Sequence, residues 1–130
     1  MSISIFRHES EVPAGVSLTD CAVSGGTLSS FLSGALAAAQ GRLCVRISPI
    51  YMEFPLPCPS GTGRLLSPQE ARARLGSGTL HISRALCTGY FTFLRDGKLW
   101  LMLYDTPETL EQKLACCRAC GVPYVLKKTE

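Results

Sequence analysis

A chain of 130 residues has room for one hydrophobic core, so a single domain over residues 1–130 is expected. With 46% hydrophobic and 18% charged side chains, against about 25% charged in ordinary globular proteins, it is too apolar for a disordered tail or a solvating charged arm. The net charge of +3 comes from 13 basic and 10 acidic residues that are scattered, which argues against the basic stripe of a nucleic-acid module.

Ser2 to Arg7 alternates polar and apolar residues and reads as a short strand. A loop comes next, through Pro13, Gly15, Gly25 and Gly26. Thr27 is an N-cap for a helix whose stripe is Leu28, Phe31, Leu32, Ala35, Leu36 and Ala39, ending near Gly41. Leu43 to Tyr51 is an apolar, branched run, expected as one strand buried on both faces. Three prolines and two glycines between Pro55 and Gly63 make a loop. Ser67, Pro68 and Glu70 then form a capping box for a short helix that stops at Gly76. Tyr90 to Arg95 and Lys98 to Tyr104 flank Asp96-Gly97, a strong hairpin signal. Thr106-Pro107-Glu108 starts a helix with Leu110, Leu114 and Cys117 on one face and Gly121 as its stop, and Val122 to Leu126 is the last strand. Helices alternating with buried strands predict an α/β fold with parallel main strands.

The longest apolar run, Leu99 to Tyr104, is far short of a bilayer span, and the first residues lack the pattern of a signal peptide. Seven cysteines are an odd number, and Cys116, Cys117 and Cys120 crowd together. Reduced thiols in a cytoplasmic compartment are therefore expected, with no membrane contact.

Two motifs carry candidate chemistry. Cys58, Gly61 and Arg64 have the spacing C-x-x-G-x-x-R of cysteine phosphatases, in which a thiolate attacks phosphorus and loop amides hold the oxyanion. However, Pro57 and Pro59 remove loop amides, and the next helix begins too late to face a phosphate. Cys117 and Cys120 make a C-x-x-C at a helix end, where the dipole disfavours a thiolate. His8, His81 and Cys87 lie at no zinc-site spacing from it, so buried apolar thiols and no metal are expected. Trp100 is expected to pack in the hairpin.

Ile47 to Tyr51, Pro55 to Pro57 and Leu66 to Ala71 resemble a stretch of the family-18 glycoside hydrolases, the chitinase-like barrels, above all their spore-cortex-lytic branch. Gly89 to Phe93, the Asp96-Gly97 turn, Leu103 to Asp105, Thr109 to Lys113 and Gly121 to Tyr124 resemble the more C-terminal part of that barrel. The resemblance implies half of a TIM barrel, from the sixth to the eighth strand, with an inserted antiparallel hairpin at about residues 80–104. Ser2 to Arg7 would then be the sixth strand.

The same resemblance implies a loss of chemistry. The family's D-x-x-D-x-D-x-E motif belongs to the half of the barrel that has no counterpart here, so no catalytic acid can be nominated. The family's Tyr-Asp pair falls on Phe6-Arg7, its eighth-strand tryptophan falls near Val125, and Met52 replaces a glycine. A pseudoenzyme is expected: a carbohydrate-binding or assembly module, without cofactor or metal, cytoplasmic or spore-associated and linked to sporulation. The remnant cleft would use Phe6, Tyr51, Glu53, Asp105 and Tyr124. A truncated or split glycosidase acting on chitin or peptidoglycan is the first alternative, and a Cys58/Arg64 phosphatase the second. Open edges at Ser2–Arg7 and Val122–Leu126 predict a homodimer or a partner chain that completes the barrel.

Overall fold

The computed structural model describes residues 3–21 and 26–128, so Ser2 and Gly25 of the expected elements lie outside it. The described residues form two sheets. The first is parallel and contains β1 (Ser4–Phe6), β2 (Ser17–Asp20), β3 (Leu43–Ile47) and β9 (Tyr124–Lys127), in the order β1-β9-β3-β2. The second is antiparallel and contains β4 (Tyr51–Pro55), β5 (Arg64–Leu65), β6 (His81–Ser83), β7 (Thr88–Arg95) and β8 (Lys98–Tyr104), in the order β5-β4-β8-β7-β6.

Among the described residues three α-helices begin where side-chain oxygens meet otherwise unpaired N–H groups. In α1 (Leu28–Ala38) the Thr27 hydroxyl accepts from Ser30 N at 3.2 Å. In α2 (Pro68–Leu75) Ser67 and Glu70 form the reciprocal box at 3.2 and 3.1 Å. In α3 (Pro107–Cys120) Thr109 takes the place of the usual Glu, its hydroxyl accepting from Thr106 N at 2.8 Å. Gly121 closes α3 in the left-handed region at φ +81°. The Asp96-Gly97 turn has φ of +53° and +74°, as a type I′ hairpin requires.

Several expectations need correction. The run Leu43 to Tyr51 is not one strand: it breaks at Ser48–Ile50, and Tyr51 opens β4 in the other sheet. Pro49 is the physical reason, because it cannot donate to a ladder. The loop after Arg7 contains a 3₁₀ turn (Glu9–Glu11) and the strand β2. The antiparallel part is a five-stranded sheet from Tyr51 to Tyr104, of which the expected hairpin supplies two strands. The strand beside β3 on its outer side is β2, whereas β1 pairs with β9, so Ser4–Phe6 does not stand next to β3 as the expected sixth strand would. For the same reason the edges of the parallel sheet are β1 and β2, and Val122–Leu126 lies inside it.

α1 and α3 cover one face of the parallel sheet. Leu28, Leu32, Leu114 and Cys117 pack there on Leu43, Val45, Ile47, Val122 and Val125. Strand alternation puts Cys44, Arg46, Tyr124, Leu126 and Phe6 on the opposite face. Arg46 there reaches Glu9 at 2.6 Å and Asp20 at 3.2 Å. The connection from β1 to β2 therefore crosses the helix-free face. A second core of Leu66, Phe91 and Met102, with Leu75 and Leu80, joins α2 to the antiparallel sheet. Among the described residues no helix is long and apolar enough to cross a membrane.

Candidate functional site

The carboxyl ends of β3 and β9 open on a cleft of about 310 Å³, in the position where parallel α/β sheets present ligand sites. Its walls include Pro49 and Tyr51 after β3, Asp105 and Leu110 at the start of α3, and Glu111 with Lys127 at the end of β9. Tyr51 meets Tyr104 edge to face, with centroids 4.9 Å apart.

Asp105 is the buried anchor of this region, 2% exposed. Its carboxylate accepts from Lys113 Nζ at 2.7 Å, Thr109 Oγ1 at 2.8 Å, Ile50 N at 3.0 Å and Thr88 Oγ1 at 3.4 Å. One side chain thus ties the end of β3, β7 and α3 to the same point. Glu111, the other wall carboxylate, is exposed and paired with Lys127 at 3.1 Å.

The five residues nominated for a remnant cleft divide among three places. Tyr51 and Asp105 share the cleft just described. Phe6 and Tyr124 stack on each other across β1 and β9 at 5.7 Å, on the helix-free face. Glu53 lies in the antiparallel sheet, 1% exposed, between three arginines: Arg64 at 3.3 Å, Arg74 at 3.2 Å and Arg95 at 3.4 Å. Sequence reading missed Lys113 as a site residue, and it missed the arginine partners. Asp105, Thr109 and Lys113 have helical i, i+4, i+8 spacing, so that set was open to recognition. The arginines converge from three elements, Arg64 through its pairing with Glu53 across β4 and β5, Arg74 from α2 and Arg95 from β7, which no local pattern encodes.

The phosphatase geometry does not form. Arg64 is engaged by Glu53 and lies 3.7 Å from Glu70, while the Cys58 thiol donates to the Thr62 carbonyl at 3.5 Å. α2 begins only at Pro68, beyond the loop. Trp100 stacks on Phe93 at 6.3 Å and carries the Arg95 guanidinium 4.0 Å over its ring, at the hairpin surface rather than in the core.

All seven cysteines are free thiols. Burial and the neighbouring Cys120 push the Cys116 thiol up to about 12, and its hydrogen bond with Cys21 holds Cys117 well above the ordinary range. Burial also raises Cys44 and Cys87. Thiols kept protonated in this way are poor nucleophiles and poor metal ligands. Among the described residues no three His, Cys, Asp or Glu side chains stand together as a metal site.

The chain thus combines a parallel sheet with helices on one face, a cleft at its carboxyl ends and an antiparallel sheet inserted before the last helix. Solved structures share it. The spore cortex-lytic enzyme SleL of Bacillus cereus matches with a TM-score of 0.63 at 10% identity, over 88% of this chain and 32% of that one. SleL of Bacillus megaterium matches at 0.61 and 11% identity, over 89% and 30%. Bacillus subtilis ydhD, assigned as a sporulation-specific glycosylase, matches at 0.61 and 10%, over 85% and 42%. The chain therefore spans about a third of the length of the SleL enzymes. No family model and no curated protein matches the sequence.

Proposed function

We propose that the chain is a non-catalytic, glycoside-hydrolase-like module that binds a glycan in the cleft between Tyr51 and Lys127. The observation that carries this reading is the state of Asp105. A glycosidase needs a carboxyl group free to deliver a proton to the leaving oxygen. Asp105 is instead held by four donors, one of them the buried Lys113 ammonium at 2.7 Å. Glu111 is tied to Lys127 on the exposed rim. The cleft has an aromatic wall and polar rim, which suit sugar binding, and among the described residues no carboxyl there is poised as an acid.

The ligand class comes from the neighbours, which are named as cortex-lytic and glycosylase enzymes, so a cortex or chitin-type oligosaccharide is the natural probe. A split-enzyme role is the weaker reading. In a full barrel the face opposite the helices is packed by the remaining strands. Here the connection between β1 and β2 crosses that face, with Glu9 on Arg46.

Amide spectra titrated with an N-acetylglucosamine tetramer test the proposal. Saturable shifts at Tyr51, Thr106 and Lys127 are expected, and Tyr51→Ala should weaken binding about tenfold, the equivalent of one aromatic contact. Absence of saturable binding, or binding unchanged in Tyr51→Ala, would overturn it.

A further inference from the structure

We infer that the arginine-lined cavity beside Glu53 is a binding site for an oxyanion, a carboxylate or phosphate group. The cavity, about 510 Å³, has Glu53, Thr62, Gly63, Arg64, Arg95 and Trp100 in its wall. It lies on the antiparallel sheet and is separate from the Tyr51 cleft, and the inference does not rest on the glycan reading.

Charge is the first argument. Three guanidinium groups converge on the one buried carboxylate of Glu53, whose two oxygens accept from Arg64 Nε at 3.3 Å, Arg74 Nε at 3.2 Å and Arg95 Nη1 at 3.4 and 3.5 Å. Among the described residues the only other carboxylate paired with the set is Glu70, 3.7 Å from Arg64 and half exposed. Three cations against two anions leave an uncompensated positive charge where the arginines repel one another. A further anion would relieve that repulsion.

Donor supply is the second argument. An arginine offers five N–H groups in a planar fork, and Glu53 engages one nitrogen of Arg64, Nε, and one of Arg95, Nη1. Both residues line the cavity, and Arg64 is 63% exposed, so a solute can reach it. The fork geometry matches the paired oxygens of carboxylate and phosphate.

The third argument is rigidity and an orphan donor. The Arg95 guanidinium lies 4.0 Å over the Trp100 ring and 6.0 Å from the Phe93 ring, and these two contacts fix the direction of that fork. The Trp100 indole N–H is buried, and none of the described residues accepts from it. A buried donor without an acceptor is costly, and this one belongs to a residue of the cavity wall.

Spectra of the arginine Nε–Hε groups, recorded on the full chain at constant ionic strength, test this with inorganic phosphate, D-glucuronate, D-glucose and chloride. The expected result is saturable shifts of Arg64 and Arg95 with phosphate or glucuronate, the tighter of the two naming the source of the anion. Glucose and chloride should give none. Arg64→Gln should weaken binding about tenfold, with hairpin amide resonances confirming that the sheet is intact. Shifts that grow linearly and equally with chloride would overturn the inference, as would saturable binding that survives Arg64→Gln unchanged.

Discussion

Asp105 and Lys113 form a buried ion pair, each 2% exposed, at the point where the two sheets meet. Removing one member of such a pair strands the other charge out of water and costs about 3–5 kcal/mol. Lys113→Met and Asp105→Asn should each lower stability by that order in urea denaturation. The double variant should be more stable than either single one, because the stranded charge is gone while an amide still accepts from Ile50 N. Additive losses would show that the pair is not coupled. A milder effect belongs to Glu70. Its hydrogen bond from the Ser67 amide holds its carboxyl below the ordinary 4.5. A depressed folded value contributes stability that is fully present above about pH 4.5 and is lost as pH falls through the folded value. Glu70→Gln should therefore narrow the gap between urea midpoints at pH 7 and pH 3, and an unchanged gap would contradict this.

At the scale of elements, two glycines show when a backbone position is committed. A Cβ on Gly89 in β7 would overlap the carbonyl oxygen of Tyr104 and crowd Leu80 at 3.1 Å. Gly89→Ala should push β7 from β8 and cost about 1–3 kcal/mol. Gly34, exposed in α1, has nothing within 4 Å of such a Cβ. Gly34→Ala should raise stability by about 0.5–1 kcal/mol through helix propensity. Chemical denaturation of the two variants checks both signs.

The same contrast between local and distant causes explains what could be read in advance. The caps at Thr27, Ser67 and Thr106, the stop at Gly121 and the Asp96-Gly97 turn are short-range chemistry, and each forms as expected. β2, β5 and β6 are two to four residues long and exist through their pairing with distant strands. No window of sequence that short carries a periodicity. The placement of Tyr51 with Asp105 came through the family resemblance, while the gathering of arginines on Glu53 depends on strand register and helix packing together.

The whole molecule is a parallel sheet backed by α1 and α3, with a connection laid over its free face and an antiparallel sheet inserted before α3. β1 is three residues long, with Ser4 and Ile5 exposed at the sheet edge, and Leu94 and Leu65 expose 74% and 66% of their surface on the second sheet. Unprotected edges and apolar surface favour pairing. Light scattering at micromolar concentration should give twice the mass of one chain, and a stable monomer would contradict that expectation. The central proposal is narrower: the carboxylate of Asp105 beside the Tyr51 cleft is locked in place by its four donors rather than available for proton transfer. Turnover of 4-methylumbelliferyl chitobioside by the purified chain tests it most directly. The account predicts no release above the uncatalysed rate, since a positioned acid supplies roughly 10²–10⁴-fold and Asp105 is not free to be one. Measurable turnover that a single Asp105→Asn or Glu111→Gln substitution abolishes would contradict it.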